Sequence, residues 1–243
     1  MTTPILEFLT VFVLAILPQM LVSFYPQEMR LMLANFPGNW RFLSTLPSRL
    51  GVILLTLYLA ASRGDHFDAI GLNLQAAFSF KTLLTAGFLT VYLLLIFVIA
   101  DRRAPKTQTE MRSVQEQTLL AMRISMNAAG FQRALAFFDL WLGVIGEELV
   151  YRGYLILMLG RQSGVILPWI IFSLTLSVMI HLYQGRQWRL IFTHLILAGL
   201  FVLAVTITQN LFAAIIPHLI YNTVWLMRTL RKIRPKDGQS QMG

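Results

Sequence analysis

Glu147 and Glu148 stand side by side in the run Leu140-Trp141-Leu142-Gly143-Val144-Ile145-Gly146-Glu147-Glu148-Leu149-Val150-Tyr151-Arg152, which is otherwise apolar until Arg152. A charged residue near the middle of a bilayer costs about 2.5–3.5 kcal/mol on insertion scales, so such residues face a protein interior and usually mark function. On a helix, Glu148 and Arg152 are i, i+4 and share a face, whereas Glu147 projects about a third of a turn away. One carboxylate can pair with Arg152 while the other points elsewhere. A lone Glu–Arg pair would serve as an ordinary helix pin. Two carboxylates against one guanidinium leave net negative charge, which in apolar surroundings calls for a proton, a cation or a second basic partner.

Candidate partners follow along the chain at His181, His194 and His218. His218 and Asn222 are again i, i+4, so one helix face presents an imidazole and a carboxamide together. His194, close to Arg189 and with no polar residue at i+4, reads as an ordinary hydrogen-bonded histidine. Two chemistries suit this set. His181 and His218, with Glu147 or Glu148, could hold a divalent metal such as zinc with an open position for water; the other carboxylate would act as general base, with Asn222 or Arg152 stabilising an oxyanion. Without a metal, Glu147 could activate water directly while the histidines hold the oxyanion. Both routes hydrolyse an amide, and the residues leave both open. No His-Glu-x-x-His, Gly-x-Gly-Asp, Gly-x-Ser-x-Gly or P-loop pattern offers another chemistry, and the absence of cysteine excludes thiolate metal sites and a cysteine nucleophile.

The elements that carry these residues are expected to be membrane spans. Of 243 residues, 56% are hydrophobic and only 13% charged, about half the charge of a soluble domain, and the mean hydropathy is +0.65. Those values exclude disorder, a disulfide scaffold and a soluble nucleic-acid binder, despite a net charge of +9. The expected fold is all-α, a polytopic helical membrane protein with about seven transmembrane helices and the active site within the last four. The spans fall near 4–25, 51–62 (extended back towards Phe42), 82–100, 134–159, 163–183, 189–208 and 210–229. The first lacks the basic n-region and cleavage site of a signal peptide and is expected to be retained. With the N-terminus outside and the C-terminus inside, all of the 20 basic residues except Arg63, Lys81, Arg152 and Arg161 fall on the inner side, as the positive-inside rule requires. Residues 107–130 are too polar to cross and repeat apolar positions at helical spacing, which predicts an interfacial amphipathic helix. Phe36-Pro37-Gly38-Asn39-Trp40 predicts a turn with an interfacial tryptophan.

Glu147-Glu148-Leu149-Val150-Tyr151-Arg152, followed by His181 and by His218-Leu219-Ile220-Tyr221-Asn222, resembles the CPBP family, the CAAX prenyl endopeptidases and bacteriocin-processing or immunity (Abi-like) proteins. The family pattern is Glu-Glu-x-x-x-Arg, then Phe-x-x-x-His, then His-x-x-x-Asn on successive helices, and the likeness covers about residues 131–230. Ile70-Gly71-Leu72 also looks like the short segment that often precedes a family helix. The resemblance implies an intramembrane endopeptidase, of the kind classed as metalloproteases, in which Glu147 activates water with help from Glu148 and Arg152 organises the pair. It further implies that His181 and His218 bind a metal or the oxyanion and that Asn222 completes the site. One position departs from the pattern: Ser177 stands where the family has an aromatic, one turn behind His181.

Three units are expected: 1–130 with the N-terminal helices, a catalytic core over 131–230, and a basic cytoplasmic tail over 231–243. The implied partners are membrane lipids and a membrane-associated peptide or protein substrate, lipidated or carrying a leader, with no nucleic acid; the implied location is the plasma membrane. Two other functions compete. An inert relative that binds or scaffolds a membrane partner is supported by Ser177. A transporter or proton relay would need polar residues leading to both faces, and the outer halves of the spans offer few beyond Thr206, Thr208, Gln209 and Asn210.

Overall fold

The computed structural model describes residues 4–17, 38–62, 67–102, 130–179, 181 and 188–232. Among them there is no strand, and each apolar stretch of the sequence holds a helix. We denote these α1 (Pro4–Val11, continued by a π turn over Phe12–Ile16), α2 (Gly38–Ser62), α3 (Phe80–Arg102), α4 (Gly130–Glu148), α5 (Ile166–Met179), α6 (Trp188–Thr208) and α7 (Phe212–Lys232). The second half of the first expected span, the interfacial helix up to Gly130, and the tail beyond Lys232 lie outside the described residues. Gly38-Asn39-Trp40 begins α2 instead of closing a turn, and Pro47 lies inside that helix without ending it.

Among the described residues, two stretches, Phe80–Ile99 and Ile191–Thr208, are long and apolar enough on their own to cross a membrane; Leu46–Ser62 and Ile166–Met179 are shorter apolar helices. The helices bearing Glu147, Glu148 and Arg152 or the cationic end of α7 fall short of that measure because their polar residues lower the average. The outward side of α3 carries Leu84, Phe88, Val91, Leu95 and Ile99, all exposed.

The core is built around the continuation of α4. Leu149–Leu159 is a π-helix that follows Glu148 without a break and runs on into Gly160–Ser163. All eleven of its residues are buried. A π-helix closes i→i+5 hydrogen bonds and is usually found as a single turn at functional sites; here it is sustained immediately after the carboxylate pair. The Ser173 hydroxyl of α5 donates to the carbonyl of Tyr151 at 2.8 Å, giving a carbonyl in this segment a partner from another helix. Helix α5 packs on the π segment and on α6, while α7 packs against α3, α4 and α6.

Helix α2 lies along α4, where Gly143 and Gly146 make a side-chain-free strip. The Arg49 guanidinium fills the space over Gly143, where a Cβ would overlap it, and its Nε pairs with Asp139 Oδ1 at 2.8 Å. That pair explains how an apolar helix can hold Arg49: a partly shielded cation needs a partner, and α4 provides one.

Ile70-Gly71-Leu72 is wedged behind the π segment. Gly71 has a φ of +79°, and a Cβ there would meet Leu157 Cδ1 at 2.5 Å, so glycine alone fits both the backbone and the space. The carbonyl of Gly71 accepts from Leu211 N–H at 2.8 Å, and Asn210 Nδ2 donates to the carbonyl of Asn73 at 2.8 Å. Asn210 Oδ1 in turn accepts from Phe212 N–H, while Arg161 donates to Gln209. Gln209 and Asn210 thus tie the α6–α7 connection to its neighbours, while the Thr208 hydroxyl donates to the carbonyls of Ala204 and Asn210 within it.

Candidate active site

Glu148 is the buried centre of the site. Its side chain is fully buried, and Oε1 accepts from His218 Nδ1 at 2.8 Å and lies 3.5 Å from Arg152 Nη1. Because a carboxylate only accepts, Nδ1 must carry the proton. His218 thus supplies a second basic partner, one of the three ways in which two carboxylates beside one guanidinium can be balanced. Arg152, 3% exposed, sits with Cζ 5.7 Å from the Phe201 ring centroid and 6.0 Å from that of Tyr151, close enough for cation–π attraction. Glu148 Oε2 and Arg152 Nε have no hydrogen-bond partner although both are buried. Buried polar atoms of that kind are uncommon and each calls for a reason, of which catalysis, strain and a bound water or ion are the ordinary ones.

Glu147, one residue earlier, is half-buried. It leaves the ion pair to Glu148 and is the carboxylate that a water molecule could reach. The i, i+4 relation of Glu148 and Arg152 survives the change to π geometry, since the pair still meets across one turn.

The two motif histidines are held alike. His218 has its ring stacked on Phe201, with centroids 4.7 Å apart and an interplanar angle of 19°. His181 lies just beyond α5, with Nδ1 at 2.7 Å from the carbonyl of Ser177. A carbonyl cannot donate, so Nδ1–H is again the donor and Nε2 is left over. Any residue at 177 offers that carbonyl, so the serine removes no hydrogen bond from the imidazole. The Ser177 side chain is itself buried, with Oγ unpartnered. Asn222 is half-buried one turn beyond His218 on α7.

Three further residues complete the surroundings: His194, which the sequence named but read as ordinary, and Phe201 and Ser173, which it did not single out. His194 on α6 stacks on His181, with ring centroids 4.4 Å apart and 26° between planes. Phe201 carries His218 and Arg152 on its ring, and Ser173 anchors the π segment. His194 was legible only as a third histidine in the same half of the bundle; judged by its own helix, which has no polar i+4 companion, it looked ordinary.

Among the described residues, no three His, Asp or Glu side chains come together as a metal site. Both His181 and His218 use Nδ1 within the protein, and Glu148 Oε1 is taken by His218 and Arg152. A histidine bonded through Nδ1 still offers Nε2 to a metal, so this arrangement leaves the zinc expected on His181 and His218 with Glu147 or Glu148 open, and no step below runs through it.

Residues 130–224 match the family model described as Type II CAAX prenyl endopeptidase Rce1-like. No curated protein and no solved structure matches the chain. The match agrees with the resemblance carried by Glu147, Glu148, Arg152, His181, His218 and Asn222, and it spans α4, the π segment, α5, α6 and most of α7. It indicates a peptidase and, with the apolar helices, a membrane protein.

Proposed function

From the Rce1-like domain over residues 130–224, we propose that the chain is an intramembrane endopeptidase that hydrolyses a peptide bond of a membrane-associated, lipidated or leader-bearing substrate. The observation that carries this is the buried Glu148–His218 contact of 2.8 Å, with Arg152 beside it, one residue from the half-buried Glu147. We assign Glu147 as general base. It takes a proton from water; the resulting hydroxide adds to the scissile carbonyl carbon; and the same carboxyl returns the proton to the leaving amine as the carbon–nitrogen bond breaks. His218 and His181 offer their Nε2 edges to the oxyanion when those edges are protonated, and the Asn222 carboxamide adds an N–H donor. Glu148 and Arg152 act behind this group: the carboxylate holds the His218 ring by Nδ1, and the guanidinium balances its charge. Seven spans, with the N-terminus outside and the C-terminus inside the plasma membrane, would bring the site to the inner half of the bilayer.

The test is cleavage in reconstituted membranes of a panel of lipidated and transmembrane peptides by wild type, Glu147→Gln and His218→Ala, with metal content measured on the same samples. The expected result is cutting by wild type alone, without stoichiometric metal and unaffected by a chelator. Cutting that disappears with the chelator and returns with zinc would refute the metal-free assignment. Undiminished cutting by Glu147→Gln would refute the base.

A further inference from the structure

We propose that His194 is a positioning residue, which holds the His181 imidazole in its working plane by aromatic stacking. The inference deepens the peptidase reading and rests on it. The hydrogen bond from His181 Nδ1 to the carbonyl of Ser177, at 2.7 Å, sets the tautomer and anchors one edge of the ring. A single bond to a carbonyl leaves the ring able to swing about the bond axis, because acceptance at a carbonyl oxygen is broad in direction. The ring face supplies the missing constraint. His194 lies against it at 4.4 Å between centroids and 26° between planes, in the range where aromatic pairs attract beyond their buried area.

His218 shows the same construction in full. Its Nδ1 is bonded to Glu148, and its face rests on Phe201 at 4.7 Å and 19°. Each site imidazole thus has one hydrogen bond at Nδ1 and one ring on its face, leaving Nε2 for substrate. For His218 the ring is a phenylalanine of α6; for His181 it is a histidine of the same helix, two turns earlier. One turn back from His181, α5 offers no ring, because Ser177 stands there. Helix α6 therefore presents both supports, and the stack on His181 requires an aromatic face at 194, not an imidazole.

Two variants separate these properties: His194→Leu keeps volume and removes the ring, and His194→Phe keeps the ring and removes the nitrogens. Both are reconstituted in liposomes with a cleavable reporter peptide. Ring protons of His181 are followed in parallel by NMR of histidine-labelled protein in micelles. The expected result is that His194→Leu lowers kcat about three- to tenfold with KM unchanged, and that His194→Phe stays within about twofold of wild type, as a stacking contribution of ordinary size implies. The His181 ring protons should lose their ring-current shift in His194→Leu and keep one in His194→Phe. The proposal is overturned if His194→Phe is as impaired as His194→Leu, if both match wild type, or if the His181 resonances do not move in His194→Leu. Should wild type cut nothing, the peptidase reading fails, while the ring resonances still decide the stack.

Discussion

Glu148→Gln keeps the shape of the central side chain and removes its charge. In the native protein this fully buried carboxylate accepts from His218 at 2.8 Å and faces Arg152 at 3.5 Å. Removing one partner of a buried ion pair costs about 3–5 kcal/mol, because the other ion is left uncompensated. Two features lower that figure here. The Arg152 contact is long for an ion pair, and its guanidinium also lies over the Phe201 and Tyr151 rings, each able to return about 0.5–1 kcal/mol. The glutamine carbonyl still accepts from His218 Nδ1–H, so only the charge-assisted part of that bond is lost, about 1 kcal/mol. The expected destabilisation is therefore about 2–4 kcal/mol. Its origin in an orphaned cation makes a sharper expectation: Glu148→Gln/Arg152→Met, which removes the stranded charge, should be more stable than Glu148→Gln alone. Unfolding of wild type, Glu148→Gln, Arg152→Met and the double variant in mixed micelles by titration with sodium dodecyl sulfate, followed by circular dichroism, measures both quantities. A single variant within about 1 kcal/mol of wild type, or a double variant that loses the sum of the two single losses, would refute the electrostatic account of this centre.

Glu147→Gln should reduce cleavage by about 100-fold or more, the scale of general-base catalysis, yet leave stability within about 0.5 kcal/mol, since the residue is half-buried and outside the ion pair; equal losses of both would assign it a structural role. Gly153→Ala would put a Cβ 2.9 Å from the carbonyl oxygen of Ile70 and 3.0 Å from Leu211 Cδ1, and the backbone oxygen cannot yield cheaply because Gly71 and Asn73 are pinned to the α6–α7 connection. A loss of about 1–3 kcal/mol is expected from overpacking, outweighing a helix-propensity gain of about 1 kcal/mol. Gly87→Ala, with nothing within 4 Å, should show only the gain, and a Gly153→Ala protein as stable as it would overturn the packing account. Ser173→Ala removes the donor to the Tyr151 carbonyl, so a loss of about 1–3 kcal/mol is expected, together with faster amide exchange along Leu149–Leu159 by mass spectrometry; unchanged exchange would show that the π segment does not need this bond.

The helical makeup and the positions of the helices were legible because a bilayer demands long apolar runs, and such runs show directly in the order of residues. The pairing of Glu148 with Arg152 was legible for a similarly local reason, since four residues along one helix meet across a turn in α and π geometry alike. So was the charge imbalance of two carboxylates against one guanidinium, which called for a proton, a cation or a further basic partner without saying which. Ile70-Gly71-Leu72 could be noticed in the sequence, but its purpose lies in Leu157 and Leu211, which only the folded chain brings over Gly71. Which histidine answers the imbalance depended on how α7 packs against α4, and that contact crosses 70 residues of sequence. The π geometry after Glu148 is equally a tertiary decision: the apolar residues of Leu149–Leu159 fit an α-helix as well, whereas burial on all sides and the hydroxyl of Ser173 accommodate the wider turn. His194 shows the limit most plainly. Helix periodicity reports the neighbours of a residue on its own helix, and the ring that His194 supports belongs to another.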